Sequence, residues 1–483
     1  MTDLSDLASP AEARARRRSA LALALVSLAA LAFRIYLFRS GRLPFDADHA
    51  QPGIGALRIL REGQLSVFIE GMNYLGDLYA LYFAPLHLLF PPCPALLRLG
   101  MLPISLLIWL ATFQFCRTAF ASRAWAIAAT ALVAFPASMV TDWTTSSASP
   151  YMVLLAGTAL TGTLLVRLAE SLPSEGWTRQ NLRRGFGLGL VLGFCFWVHF
   201  AMLVTFGAVA LTLLASPRLL GRVAGVMGGI GEGAARLPKT LLGLVLQAGL
   251  LFGLLGTTYV LLFGGGRLEL WLTHITMRHL MKPLLIALGF LLARLAFDLQ
   301  WLRVSPLPRL GVVSCFLGLW LGAAPVAYHN LTSYDLYFRS EGLIAGSVSV
   351  LAQFLSIFHT GLPVLLGYMH DYWQPAHLPP LPLRVMMVAA GMAALAGLLV
   401  AALWAEIRHT PRRVGVVFTA ALAATQIAVF SLSSSGWVVT NPRYLLLLHW
   451  TIAVSLGALP WLLGRLRPGL AKAGWGAVGT LII

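Results

Sequence analysis

Two carboxylates, Asp46 and Asp48, stand just beyond the first long apolar run, with His49 directly after them. A carboxylate so placed can take a proton from a hydroxyl, which is a poor nucleophile until a base does this. It can equally cap the helix that follows, accepting from the free N–H groups of its first turn. Spacing alone favours the cap for Asp48, and the two roles can coexist. His49 is a second base, an anion contact or a solvated loop side chain. An anionic group in the same place needs cations or aimed donors. The candidates are Arg58, Arg61, His199, Arg278, Lys282, Arg339 and Arg443. Arg443, within Asn441-Pro442-Arg443-Tyr444, sits at the mouth of the last apolar run. It is either an anion ligand or an arginine snorkelling to the membrane interface. Arg58 and Arg61 flank the carboxylates, or form the polar face of an interfacial helix. His199 lies between two short apolar runs, as a ligand or as a packing residue.

Other patterns carry less. His274 and His279 have no third ligand at metal spacing, and Gly264-Gly265-Gly266 reads as a hinge. Asn330-Leu331-Thr332 is a sequon that chance explains. Trp143 and Trp437 fall at span edges, where aromatic belts are expected without catalysis. The four cysteines, Cys93, Cys116, Cys195 and Cys315, show no paired spacing and read mostly as small core residues.

The elements that must position these groups are membrane helices. Of 483 residues, 58% are hydrophobic and 11% charged, with a mean hydropathy of +0.79. Soluble domains carry about 25% charged residues, so most of this chain cannot face water. Lipid leaves only helices or closed barrels, and runs of Leu, Ala, Val and Gly without strict alternation favour helices. The sequence predicts an all-α polytopic membrane protein with about twelve transmembrane helices, each of about 20 apolar residues. They fall near 19–38, 98–118, 122–140, 150–168, 186–198, 200–215, 240–263, 283–302, 310–329, 383–405, 414–432 and 443–464. About two thirds of the Lys and Arg then lie on one side, as the positive-inside rule requires. The +17 net charge is therefore a topology signal and an anionic-lipid contact rather than a nucleic-acid footprint.

The organisation expected is a basic cytoplasmic N-terminus (1–18) and a transmembrane module (19–330) whose first outer loop spans 40–97. An outer stretch with partly apolar helices (331–382) and C-terminal spans (383–483) follow. The apolar run after Arg14, Arg16, Arg17 and Arg18 reads as an uncleaved first span. Within the first outer loop, residues 48–61 can form a short helix with Pro52 in its first turn. Residues 78–90 are too short to cross and suit a helix in the interface. Gly185, Gly189 and Gly193 form a small-residue row suited to a helix contact.

The first loop resembles that of GT-C membrane glycosyltransferases, in particular bacterial enzymes of the protein-mannosyltransferase type (family 39). The matching elements are Asp46-Ala47-Asp48, Ile59-Leu60-Arg61-Glu62-Gly63, Gly71-Met72-Asn73-Tyr74-Leu75-Gly76, Ala84-Pro85-Leu86 and Leu97-Arg98-Leu99. Weaker echoes are Trp197-Val198-His199, Ala324-Pro325 with His329-Asn330-Leu331, and Arg443-Tyr444-Leu445-Leu446. His49 and Tyr79 stand where relatives carry acids. The resemblance implies a polyprenyl-phosphate sugar as donor and an acceptor on protein, lipid or glycan. It implies inversion, with Asp48 as general base and Asp46 assisting or binding the acceptor. Arg443, Arg58, Arg61, His49, His199 and Tyr74 would serve the donor phosphate and substrates. It calls for no cofactor and leaves a divalent metal open. The expected location is the inner (plasma) membrane of a bacterium, with the site facing the periplasm or exterior. A transporter or lipid flippase also fits the number of spans, and a GT-C-like scaffold that has lost catalysis fits the His49 and Tyr79 departures.

Overall fold

The computed structural model describes residues 10–41, 45–70, 72–147, 149–216, 237–264, 266–270, 273–277, 280–297, 307–332, 350–365, 397, 410–432, 442–458, 460–461, 467 and 469–482. Helices dominate, and the fold is all-α and multi-pass. Five helices among the described residues are long and apolar enough to cross a membrane: Glu12–Arg39, Pro94–Phe120, Tyr151–Leu172, Leu242–Phe263 and Arg413–Leu432. Each falls on an expected span. The expected span at 383–405 lies outside the described residues. Leu78–Leu89, Arg123–Ala134, Phe200–Leu214 and Arg443–Leu456 are shorter apolar helices.

Proline breaks two of the expected spans. The run read as 310–329 is bent by 67° between Leu310–Gly322 and Ala324–Thr332, because Pro325 has no N–H to continue the ladder and crowds the preceding turn. The run read as 122–140 stops at Ala134, just before Phe135-Pro136, and resumes as a short helix at Ser138–Trp143. Two antiparallel hairpins interrupt the helices. The first pairs β1 (Phe68–Ile69) with β2 (Met72–Gly76), the second β3 (Gly266–Leu270) with β4 (Thr273–Met277). Between the spans expected at 240–263 and 283–302 the sequence predicts no strand, yet Leu268, Leu270, Ile275 and Met277 alternate with polar residues at the period of a strand.

The small-residue row does pack a helix. A Cβ at Gly189 would lie 1.9 Å from the carbonyl oxygen of Cys315, so Arg179–Val198 and Leu307–Gly322 meet backbone to backbone. Arg34, in the first helix, is fully buried. It donates to the Ala134 carbonyl at 2.7 Å and to Thr144 Oγ1 at 3.4 Å, and its guanidinium lies 4.7 Å over the Trp109 ring. A buried cation is tolerated only with such partners, and these tie the first span to the segment after Ala134.

Candidate active site

The site begins at the helix α1 (Ala47–Glu62), whose N-cap is Asp46. The His49 N–H donates to Asp46 Oδ1 at 3.1 Å, and His49 Nδ1 lies 2.6 Å from Asp46 Oδ1 and 3.3 Å from the Asp46 nitrogen. This closes a reciprocal capping box. Burial pushes the Asp46 carboxyl up, but the hydrogen bonds from His49 outweigh it and hold Asp46 below its usual value. The capping expected of Asp48 therefore falls to Asp46. Asp48, two residues further on in the first turn, is exposed. His49 is buried, and its carbonyl accepts from Ser147 Oγ at 2.6 Å.

The rest of the first loop is clamped to distant parts of the chain. The Val67 carbonyl accepts from the Asp77 N–H at 3.1 Å and from Trp197 Nε1 at 2.9 Å. Leu75 forms an antiparallel bridge with His199. Gly76 makes that approach possible, since a Cβ there would lie 2.5 Å from the Trp197 carbonyl oxygen. The helix α2 (Leu78–Leu89) follows, and its buried Tyr79 donates to the Ser149 carbonyl at 2.7 Å. His49 and Tyr79 thus both engage the segment that carries Ser147 and Ser149.

These clamps leave an open cleft lined by Asp48, Gln51, Ile69, Leu75, Trp143, Pro150, Tyr151, His199, Arg443 and Tyr444. The Arg443 guanidinium lies 4.6 Å over the Trp143 ring and 5.4 Å over the Tyr444 ring. Tyr151 packs edge-on against both Trp143 and Tyr444, with centroids 6.1 Å away in each case. His199 is buried, and its Nδ1 accepts from the Ala201 N–H at 2.8 Å. The ring proton of the neutral imidazole is therefore on Nε2. Burial pushes the His199 pKa down to about 3, with Arg443 adding to the effect. His199 thus enters any chemistry here as a neutral donor, not as a cation.

Of the expected site residues, the structure brings Asp48, His199 and Arg443 into one cleft. Asp46 and His49 belong to the helix cap and do not line it. Arg58 is exposed and ion-paired with Glu70, and Arg61 is exposed at the far end of the helix. At a rise of 1.5 Å per residue they lie about 15 and 20 Å along the axis from Asp48, too far to hold an anion beside it. Tyr74 lies in β2, its side chain outside the described residues, as are Arg278 and Arg339. Lys282 is exposed on the helix Met281–Phe297. Trp143 is a correction: it is 8% exposed and lines the cleft rather than standing in an aromatic belt. Gln51 was legible in principle, three residues after Asp48 and so on the same helical face. Trp143 and Tyr151 bracket the polar stretch 144–149, a signal visible only once that stretch is known to pack against the first loop.

Two further carboxylates, Asp77 and Asp142, are not among the cleft's described lining residues. Burial pushes Asp77 up to about 6. Burial also pushes Asp142 up, against the pull of His49 and Arg98 and together with repulsion from Asp46. Asp48 is the carboxylate among the cleft's described lining residues. Among the described residues, no group of three or more His, Cys, Asp or Glu stands ready to hold a metal ion.

No family model matches the chain, and no curated protein matches it. Among solved structures, it is similar to the oligosaccharyltransferase of Archaeoglobus fulgidus in its apo form, at 14% identity and a TM-score of 0.49. The likeness covers 96% of this chain and 54% of that one, so this chain spans about half its length. At that level it assigns neither activity nor substrate.

Proposed function

We propose that the protein is a membrane glycosyltransferase of GT-C type that moves a sugar from a polyprenyl-phosphate donor to an acceptor hydroxyl at the outer face. The observation that carries this is the meeting of Asp48 and Arg443, from opposite ends of the chain, in one cleft with a buried neutral His199. In the reaction, the acceptor oxygen bonds to the anomeric carbon as Asp48 takes its proton. The bond from that carbon to the phosphate oxygen breaks, and prenyl phosphate leaves with the electron pair and with inversion. Arg443, planar and always charged, suits a phosphate oxygen. Tyr151, Tyr444 and Trp143 offer flat apolar faces beside it. The first-loop resemblance supports the same assignment, and the distribution of Lys and Arg supports a cleft on the outer side of an inner membrane.

The departures at His49 and Tyr79 do not argue for lost catalysis, because both side chains hold the loop and neither lines the cleft. Transport would call for ionisable groups along a path. The buried cation of the first span, Arg34, is pinned to Ala134, Thr144 and Trp109 instead. The test is to incubate the purified protein with prenyl-phosphate hexoses and pentoses and measure release of prenyl phosphate and labelled product. Turnover of one donor supports the proposal. Absence of turnover, with solute or lipid uptake into proteoliposomes, removes it.

A further inference from the structure

Trp143 is enclosed, yet one of its atoms has no partner. The side chain is 8% exposed, and its indole N–H is buried with no hydrogen bond among the described residues. Buried tryptophans usually find a partner for this group, since a desolvated donor left unpaired is costly. The ring lines the cleft, and the Arg443 guanidinium lies over its face, 4.6 Å from the centroid. The geometry separates two functions of one side chain: the ring face supports the cation, while the N–H leaves in the ring plane, at the edge.

We infer that Trp143 is a ligand-binding residue of the cleft, its indole N–H donating to a phosphate oxygen of the same prenyl phosphate that Arg443 holds. The inference rests on the glycosyltransferase reading and adds a neutral donor to it. Such a donor bonds more strongly to a charged phosphate oxygen at the ring's edge than to the oxygen of an uncharged prenyl alcohol. Water is the competing partner for the N–H. It differs from phosphate in being indifferent to the ligand's head group.

The experiment measures binding of farnesyl phosphate and of farnesol to the detergent-solubilised full chain and to Trp143→Phe, which keeps a ring under Arg443 and removes the N–H. The expected result is a roughly 10- to 100-fold weaker affinity of the variant for farnesyl phosphate, the worth of one hydrogen bond to a charged group, with farnesol unchanged. Trp143→Leu, which also removes the platform, is expected to lose more. In the unaltered protein with indole-¹⁵N tryptophan, one of the 14 indole signals should move with farnesyl phosphate and stay with farnesol. Equal phosphate affinity in Trp143→Phe, or no indole signal that moves, overturns the inference while leaving the glycosyltransferase reading intact. If the unaltered protein binds farnesyl phosphate no better than farnesol, the cleft is not a phosphate site and both fall.

Discussion

Nδ1 of His49 and Oδ1 of Asp46 lie 2.6 Å apart, and this contact determines which of the two neighbouring aspartates is free. Asp46 is consumed by the helix cap, so Asp48 reaches the cleft without a structural duty. Asp46→Ala is therefore expected to lower stability by about 1 kcal/mol, the worth of an N-cap. Transfer should fall by less than about tenfold, and thermal unfolding alongside an activity assay would separate the two. An Asp46 variant that is fully stable yet inactive would make Asp46 part of the chemistry.

Gly76→Ala tests the clamp between the first loop and His199. The added methyl meets the Trp197 carbonyl oxygen at 2.5 Å, so the hairpin must shift. An overpacking cost of about 1–3 kcal/mol is expected, with loss of transfer because Leu75 and His199 line the cleft together. Unchanged melting and unchanged turnover would show that the hairpin is not held there.

Arg443 should separate charge from shape. Removing a charge-assisted hydrogen bond costs about 1.5–3 kcal/mol, so Arg443→Gln is expected to raise the donor KM by roughly 10- to 100-fold. Arg443→Lys should fall in between, since an ammonium keeps the charge but loses the planar stack on Trp143. A Lys variant as good as the native residue would reduce Arg443 to a point charge.

Two groups predict the response to pH. Asp77, raised to about 6 by burial, holds its proton more firmly when folded than when unfolded. Its contribution is fully present below the ordinary carboxylate value near 3.8 and is lost as pH rises through about 6. Asp77→Asn should flatten that decline and raise stability above pH 6, by about 1–2 kcal/mol once solvent screening is allowed for, as read from denaturant unfolding at several pH values. His199, pushed down to about 3, stays neutral through the working range. The rate should therefore show no limb attributable to His199 near 6.5, the ordinary histidine value. His199→Asn, which can still accept from Ala201, should stay better folded than His199→Ala.

Much of the architecture was legible because lipid imposes it: long apolar runs and the uneven Lys and Arg distribution mark the spans without tertiary information. The short helix after Asp46 was legible in extent, since Ala47–Glu62 matches the expected 48–61 closely, but Pro52, expected in its first turn, lies inside the helix. What was not legible depends on contacts between distant segments. Asp46 and Asp48 are equally good caps by type, and only the His49 ring decides between them. Trp143 at a span edge reads as a belt residue until the fold brings it into one cleft with Asp48. Arg58 and Arg61 look adjacent to the carboxylates in sequence, but the rise of a helix carries them away. Arg443 and His199 could be joined to Asp48 only by the fold.

The most direct measurement is the initial rate of sugar transfer from a prenyl-phosphate donor by Asp48→Asn, with farnesyl phosphate affinity measured on the same preparation. Asn keeps the shape and removes the base, and general-base catalysis contributes about 10²–10⁴-fold. The rate is expected to fall by at least 10²-fold while phosphate affinity stays within about twofold, because Arg443 is untouched. A well-folded Asp48→Asn protein that transfers sugar at the native rate would contradict the assignment of the base, and with it the mechanism built on this cleft.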